Sequence, residues 1–95
     1  MDVGIKKRAL HRAKILEGQL RGLQRMIENE EYCMDIIGQS LAVQASLGSL
    51  NKLIAENHII THVTEMMASG NPKQQAKAQE ELSKIYELIN NRGKK

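Results

Sequence analysis

Apolar residues recur every three or four positions along most of this chain, a spacing typical of one face of an α-helix. Over residues 5–28 the apolar face consists of Ile5, Ala9, Ala13, Leu16, Leu20, Leu23 and Ile27. At about 100° per residue, a sector of roughly 80° on the opposite side contains the basic residues Lys7, His11, Lys14, Arg21 and Arg25. The pattern predicts a first helix whose apolar face packs and whose basic face points away.

A second apolar pattern runs from about residue 31 to residue 68, and Asn29 is a candidate N-cap before it. Its apolar positions are Ile36, Val43, Leu47, Leu50 and Ile54. Small residues crowd the middle of this predicted helix, at Gly38, Ser40, Ala42, Ala45, Ser46, Gly48 and Ser49. Because each glycine costs about 1 kcal/mol of helix propensity relative to alanine, we expect another helix to approach closely there and offset the cost.

The segment SGNPKQQ predicts the end of the second helix and the start of a third over about residues 72–91. Gly70 suits a left-handed C-terminal position, Asn71 can cap the next helix, and Pro72 suits its first turn. The third helix has a narrow apolar stripe at Ala78, Leu82, Ile85 and Ile89, and Gly93 lies in a basic tail that we expect to fray.

Composition agrees with a single all-α domain over residues 1–95. The chain is 41% apolar but contains no Phe or Trp, so its core must use Leu, Ile, Val, Ala and Met, which favours helices. A chain this short buries only about two-thirds of its unfolded surface, which makes help from a second chain plausible. One cysteine suits a reducing compartment, and no apolar run approaches the roughly 20 residues that cross a bilayer. We therefore expect a cytoplasmic protein with no membrane partner.

Three side chains are candidate metal ligands: Cys33, His58 and His62. The two histidines are four residues apart on one helix face, so their rings can reach one ion. Such a pair is more often a surface or hydrogen-bonded pair, and a lone cysteine is more often a small buried hydrophobe. A site with two histidines usually recruits a further protein ligand, however, and Cys33 is the only thiolate that the sequence offers.

Distance decides how these ligands can meet. Cys33 and His58 are 25 residues apart, or about 38 Å along one continuous helix at 1.5 Å per residue. They cannot bind one ion within one chain. If two copies of the second helix pack antiparallel, Cys33 of one chain lies opposite His58 and His62 of the other, and an isologous dimer has two equivalent sites.

Two classes of protein remain as alternatives to a metal-binding dimer with shared sites. A metal-dependent hydrolase could use the same ligands, but the zinc-protease motif requires Glu directly after the first histidine, where this chain has Ile59. The sequence also lacks a glycine-rich phosphate loop and a nucleophile–base–acid set, so we expect no enzyme activity. A structural helical adaptor would bind neither metal nor DNA through these residues.

The motifs R-x-K-x-x-E-G-Q-x-R-G, Y-C-M-D-I, Q-x-x-A-x-x-x-x-L and H-x-x-x-[CH], read over residues 5–67, resemble those of the copper-sensing repressor (CsoR/RcnR) family. The resemblance implies a three-helix protomer, an antiparallel dimer with a four-helix-bundle core, and a dimer of dimers. It implies a repressor whose metal-free form binds operator DNA. Its metal-bound form binds this DNA more weakly, so that genes for metal export or detoxification are expressed.

By this resemblance, Cys33 of one protomer and His58 and His62 of the other bind the inducing metal. Copper sensors usually carry a second Cys where this chain has His62, so Zn(II), Ni(II) and Co(II) compete with Cu(I), which we expect as the inducer. Tyr32 and Glu81 correspond to residues that hydrogen-bond the ligand histidine and couple the ion to the third helix.

The resemblance attributes DNA binding to basic and polar residues on helix one and in the middle of helix two. The matching positions are Arg12, Lys14, Gln19 and Arg21, and Lys52 would extend the patch. Ser49 occupies a place where relatives often carry a basic residue. Four copies of this set in a tetramer would each add phosphate contacts and a salt-dependent affinity.

Overall fold

The computed structural model describes residues 1–90, and within that range every regular element is helical. The elements are α1 (Val3–Glu28), α2 (Cys33–His58), a π-helical turn (Ile59–Val63), α3 (Thr64–Ala68) and α4 (Pro72–Asn90). Residues at both junctions of the π turn keep right-handed helical dihedral angles, so α2, the π turn and α3 form one continuous rod. The predicted all-α, three-helix architecture is confirmed.

The turn between α1 and α2 differs from the prediction. Asn29 does not cap α2: it ends α1, and its backbone N–H donates to the Arg25 carbonyl at 2.9 Å. Glu30 then adopts a φ of 49°, in the left-handed region that few non-glycine residues occupy. The turn continues through Tyr32, whose side chain makes no capping hydrogen bond, and α2 begins at Cys33.

The turn before α4 matches the prediction from its local chemistry. Gly70 has a φ of 75°, and the Asn71 side chain accepts a hydrogen bond from the Lys73 backbone N–H at 2.9 Å. Pro72 is the first residue of α4. The predicted last residue of this helix, Asn91, and the basic tail lie outside the described residues.

The three rods lie side by side in a thin layer. Arg12 of α1 contacts Ser49 of α2, and Gln39 of α2 contacts Gln19 of α1, so these two helices run antiparallel. Helix α4 packs back along α3, the π turn and the end of α2. The Cα atoms span 58 × 34 × 12 Å, so the described part of the chain is much thinner in one direction than in the other two.

A layer this thin encloses little core. The buried apolar side chains among the described residues are Leu16, Leu53, Val63 and Ala78. Several apolar residues that the periodicity predicted to pack remain half exposed, including Leu20, Ile27, Leu47 and Ile54. No helix in the described part of the chain is long and apolar enough to cross a membrane.

Candidate metal site and nucleic-acid interface

The two histidines lie together at the C-terminal end of α2, where the helix changes its hydrogen-bonding pattern. The centroids of the His58 and His62 rings are 5.1 Å apart, with the ring planes tilted by 37°. Between them the helix loosens into the π turn, in which the Thr64 backbone N–H donates to the Ile59 carbonyl five residues earlier. The Thr64 hydroxyl donates to the same carbonyl at 2.9 Å. Single π turns inside α-helices occur frequently at functional sites.

Glu81 of α4 fixes the orientation of His58. Its Oε1 atom lies 2.6 Å from His58 Nε2, and the two side chains are 30% and 36% exposed. The hydrogen bond to His58 lowers the pKa of Glu81 below its ordinary value, so the carboxylate is ionised near neutral pH. Because an ionised carboxylate only accepts hydrogen bonds, Nε2 must be the donor and Nδ1 of a neutral ring keeps a free lone pair.

These side chains open onto a cleft of about 260 Å³ between the π-turn region and α4. It is lined by His58, His62, Glu65, Met66, Lys77 and Glu81. The two imidazoles are neutral-nitrogen ligands that Zn, Cu, Ni and Co ions accept. Within residues 1–90, however, no group of three or more His, Cys, Asp or Glu side chains could hold a metal ion. The two histidines can therefore supply two ligands of a metal site, and the remaining ligands must come from elsewhere.

The third predicted ligand lies at the opposite end of α2. Cys33 is its first residue and is exposed, and the neighbouring Tyr32 is 72% exposed. Since α2 is one continuous helix from Cys33 to His58, its length separates them by about 38 Å. The structure thus brings His58 and His62 together but leaves Cys33 and Tyr32 far from both within one chain.

An uncovered apolar face joins the two ends of α2. At about 100° per residue, Cys33, Ile37, Leu41, Leu47 and His58 fall within a sector of roughly 120°. The three apolar members are 51%, 58% and 47% exposed in the order given. Contiguous apolar surface of this kind typically marks an interaction site.

The predicted DNA-binding residues divide into two groups. Lys14 and Arg21 are exposed on the basic face of α1, and Lys52 is exposed on α2. Helix α1 carries seven Lys and Arg residues against two Glu. This face therefore has the charge that phosphate binding requires.

Arg12 and Gln19 lie instead on the side of α1 that faces α2, and both are half buried. Arg12 Nη1 donates to the carbonyl and to the hydroxyl of Ser49, each at 3.0 Å. The backbone carbonyl of Gln19 accepts from Gln39 Nε2 at 3.3 Å. These two residues are in a position to orient α1 against α2.

Two features of the site do not follow from the sequence patterns described above. The π turn gives no periodic signal, because its apolar residues Ile59 and Val63 continue the helical pattern. Met66 lines the cleft beside both histidines. The sequence could have predicted it, because Met66 lies four residues after His62, at the same spacing that separates His58 from His62.

Comparison with known proteins agrees with these features. Residues 5–91 match the family model described as metal-sensitive transcriptional repressor. The chain is 36% identical over 78 residues to the copper-sensing transcriptional repressor RicR of Mycobacterium tuberculosis, covering 82% of this chain and 81% of that protein. It is 39% identical over 69 residues to the copper-sensing transcriptional repressor CsoR of Bacillus subtilis, covering 73% of this chain and 68% of that protein.

The match confirms the resemblance to the repressor family and the prediction that the chain is not an enzyme, because the matching family and these relatives are transcriptional repressors. Membership also implies operator DNA as a partner. The chain therefore belongs to the metal-sensitive transcriptional repressors.

Proposed function

We propose that this protein is a cytoplasmic, Cu(I)-responsive repressor that works as an antiparallel homodimer and as a dimer of dimers. Each sensing site consists of Cys33 from one chain and His58 and His62 from the other. The metal-free homotetramer binds operator DNA and represses genes for metal export or detoxification. Metal binding lowers its affinity for DNA. Zn(II), Ni(II) or Co(II) as the inducer is the alternative.

One observation carries this proposal: the uncovered apolar face of α2 has the exposed thiol of Cys33 at one end and the histidine pair at the other. Two copies of this face packed antiparallel bury their apolar residues against each other. The same packing brings each thiol to the other chain's imidazoles. A parallel arrangement would instead pair thiol with thiol and leave the histidines without a sulfur ligand.

Copper is favoured as the inducer by two independent arguments. The relatives described above are named as copper sensors. A bound Cu(I) would supply a soft cation that a thiolate and imidazoles can hold together. His62 makes the set harder than one with two thiolates, which is why the other three metals remain the alternative.

The contact between His58 and Glu81 connects the sensing site to α4. Glu81 holds His58 Nε2, so a change in the position of the His58 ring also moves a residue of α4. The site can lower DNA affinity only to the extent that metal binds the two conformations differently, which typically amounts to about 1–3 kcal/mol of coupling.

Lys14, Arg21 and Lys52 are the residues that we assign to phosphate contacts, because all three are exposed. Arg12 and Gln19 are assigned a supporting part at the same surface, since their contacts with α2 set the angle at which α1 presents its basic face. Four copies of a surface that neutralises phosphates give a steep dependence of affinity on salt.

The test is an operator-binding titration of the metal-free protein with Cu(I), Zn(II), Ni(II) and Co(II) added separately. We expect Cu(I) to cause the largest loss of DNA affinity, and we expect the Cys33→Ala variant to bind DNA but not to respond. A larger response to another of these metals would make that metal the inducer. If no metal lowers DNA affinity, the proposal is wrong.

A further inference from the structure

Met66 shares the cleft of the two histidines without any part in the function proposed above. It is half buried and lines the cleft together with His58 and His62. The cleft is open to solvent rather than part of the buried core, which consists of Leu16, Leu53, Val63 and Ala78. Met66 therefore borders the same cleft as the two imidazoles.

The π turn accounts for this placement. His58, His62 and Met66 follow one another at steps of four residues. In an uninterrupted α-helix each such step rotates by about 40°, which would turn the third side chain roughly 80° away from the first. A π turn accommodates an additional residue and so takes up part of that rotation. Three side chains on successive turns can then open onto one cleft.

The chemistry of the thioether matches the inducer that we propose. Thioether sulfur is a soft, uncharged ligand that suits Cu(I), whereas imidazole suits Zn and Ni ions as well as copper. Cys33 alone gives the proposed site one sulfur, and His62 adds a nitrogen. A second sulfur on the side of the histidines would shift the preference of the site towards Cu(I).

We propose that Met66 is a further ligand of this site and that the Met66 thioether binds Cu(I) beside His58 and His62. This inference depends on the proposed function, because it assumes that the histidines bind copper. Met67 provides an internal comparison, since it follows directly in the sequence but is not among the residues that line the cleft. Its side chain is 43% exposed.

The experiment compares the variants Met66→Leu and Met67→Leu with the unaltered tetramer, by competition with a chromophoric Cu(I) chelator and by a parallel competition for Zn(II). Leucine retains most of the apolar volume and removes the sulfur. We expect Met66→Leu to weaken Cu(I) binding by about tenfold or more, because loss even of a residue that only hydrogen-bonds a metal ligand typically costs that much. Zn(II) binding by this variant, and both affinities of Met67→Leu, should match those of the unaltered protein.

X-ray absorption at the copper edge gives a second measurement, which the unaltered protein alone can decide. We expect two sulfur ligands per Cu(I) in the unaltered protein and one in Met66→Leu. One sulfur ligand per Cu(I) in the unaltered protein, or an unchanged Cu(I) affinity of Met66→Leu, overturns the role of Met66. If Cys33→Ala still abolishes binding in that case, the proposed function stands. An unaltered protein that binds no Cu(I) overturns both.

Discussion

The two ends of α2 differ in the contacts that their side chains make within one chain. At the C-terminal end, His58 is held by Glu81 at 2.6 Å, lies close to the His62 ring, and is followed by the π turn and α4. At the N-terminal end, Cys33 is exposed, and Tyr32 beside it is 72% exposed. One end is organised within the chain, and the other is bare.

In the proposed dimer, this difference would let a short chain respond to a ligand through its assembly. The organised end can orient its imidazoles before any ion arrives, because its supporting contacts come from the same chain. Among the described residues the bare end has no such support, and in the proposed dimer its neighbours come from the other chain. A metal site that needs ligands from both ends therefore depends on how two chains are arranged.

The largest effect is expected from a charge on the apolar face that joins the two ends. Leu41→Glu places a carboxylate at a position that is 58% exposed in one chain and would be buried between two α2 helices in the proposed antiparallel dimer. An unpaired buried charge costs roughly 3 kcal/mol, or about a hundredfold in association. Sedimentation over a range of concentrations measures the change.

The matched control for Leu41→Glu is Ala42→Glu, one residue further along α2, exposed and turned away from the sector that carries Cys33 and His58. It should assemble as the unaltered protein does. If both variants assemble equally well, the apolar face is not the dimer interface.

The basic face of α1 should act on DNA independently of both ends of α2. We expect Lys14→Ala or Arg21→Ala to weaken operator binding by about tenfold at low salt and to reduce the salt slope by about one for each phosphate that is no longer neutralised. Metal affinity should not change. Lys84→Ala is the control, because Lys84 lies on α4 and pairs with Glu87 at 3.6 Å. An equal loss of DNA affinity in the control would contradict this assignment.

A pH titration of thermal stability should distinguish the organised end from the bare one. Because the pKa of Glu81 is lowered in the folded chain, mainly by its hydrogen bond to His58, its ionised form stabilises the fold above the ordinary carboxyl pKa of about 4.3. That contribution disappears as the pH falls through the lower value. Glu81→Gln should therefore have a lower Tm than the unaltered protein at neutral pH, and the difference should vanish in acid.

Two controls accompany this titration. Glu80→Gln alters the neighbouring, exposed carboxylate on α4, and Cys33→Ala alters the bare end. Neither should reproduce the pH-dependent difference in Tm. A difference for Cys33→Ala equal to that for Glu81→Gln would show that the two ends of α2 are equally supported.

The smallest effect concerns the π turn. Thr64→Val removes the hydroxyl that donates to the Ile59 carbonyl at 2.9 Å but keeps the backbone hydrogen bond to the same carbonyl. We expect a loss of about 1 kcal/mol or less in the free energy of unfolding. Ser83→Ala, which removes an exposed hydroxyl from α4, should cost less. A larger cost for Ser83→Ala would contradict a stabilising role for the Thr64 hydroxyl.

Much of this architecture is predictable because local chemistry determines it. The three- and four-residue periodicity indicates the helices, and Gly70, Asn71 and Pro72 indicate the turn before α4 because each has a distinct backbone or capping preference. The separation of Cys33 from His58 follows from the fixed rise of an α-helix.

The remaining features depend on contacts that no local pattern encodes. Glu30 adopts a left-handed conformation that its residue type does not favour, which is why the prediction of Asn29 as the cap of α2 is wrong. Arg12 resembles the other basic residues of α1 in sequence, but its hydrogen bonds to Ser49 depend on how two helices pack. Periodicity shows that Leu47 belongs to an apolar face but not that this face stays open within one chain.

The most direct test of the shared site mixes two defective chains. Cys33→Ala lacks the thiolate, and the double variant His58→Ala, His62→Ala lacks the imidazoles, so neither homodimer should bind Cu(I) tightly. After co-refolding, each heterodimer carries one site built from intact residues of both chains, and we predict that tight Cu(I) binding returns with one ion per heterodimer. If heterodimers form but tight binding does not return, the site is not shared between chains and the central claim is wrong.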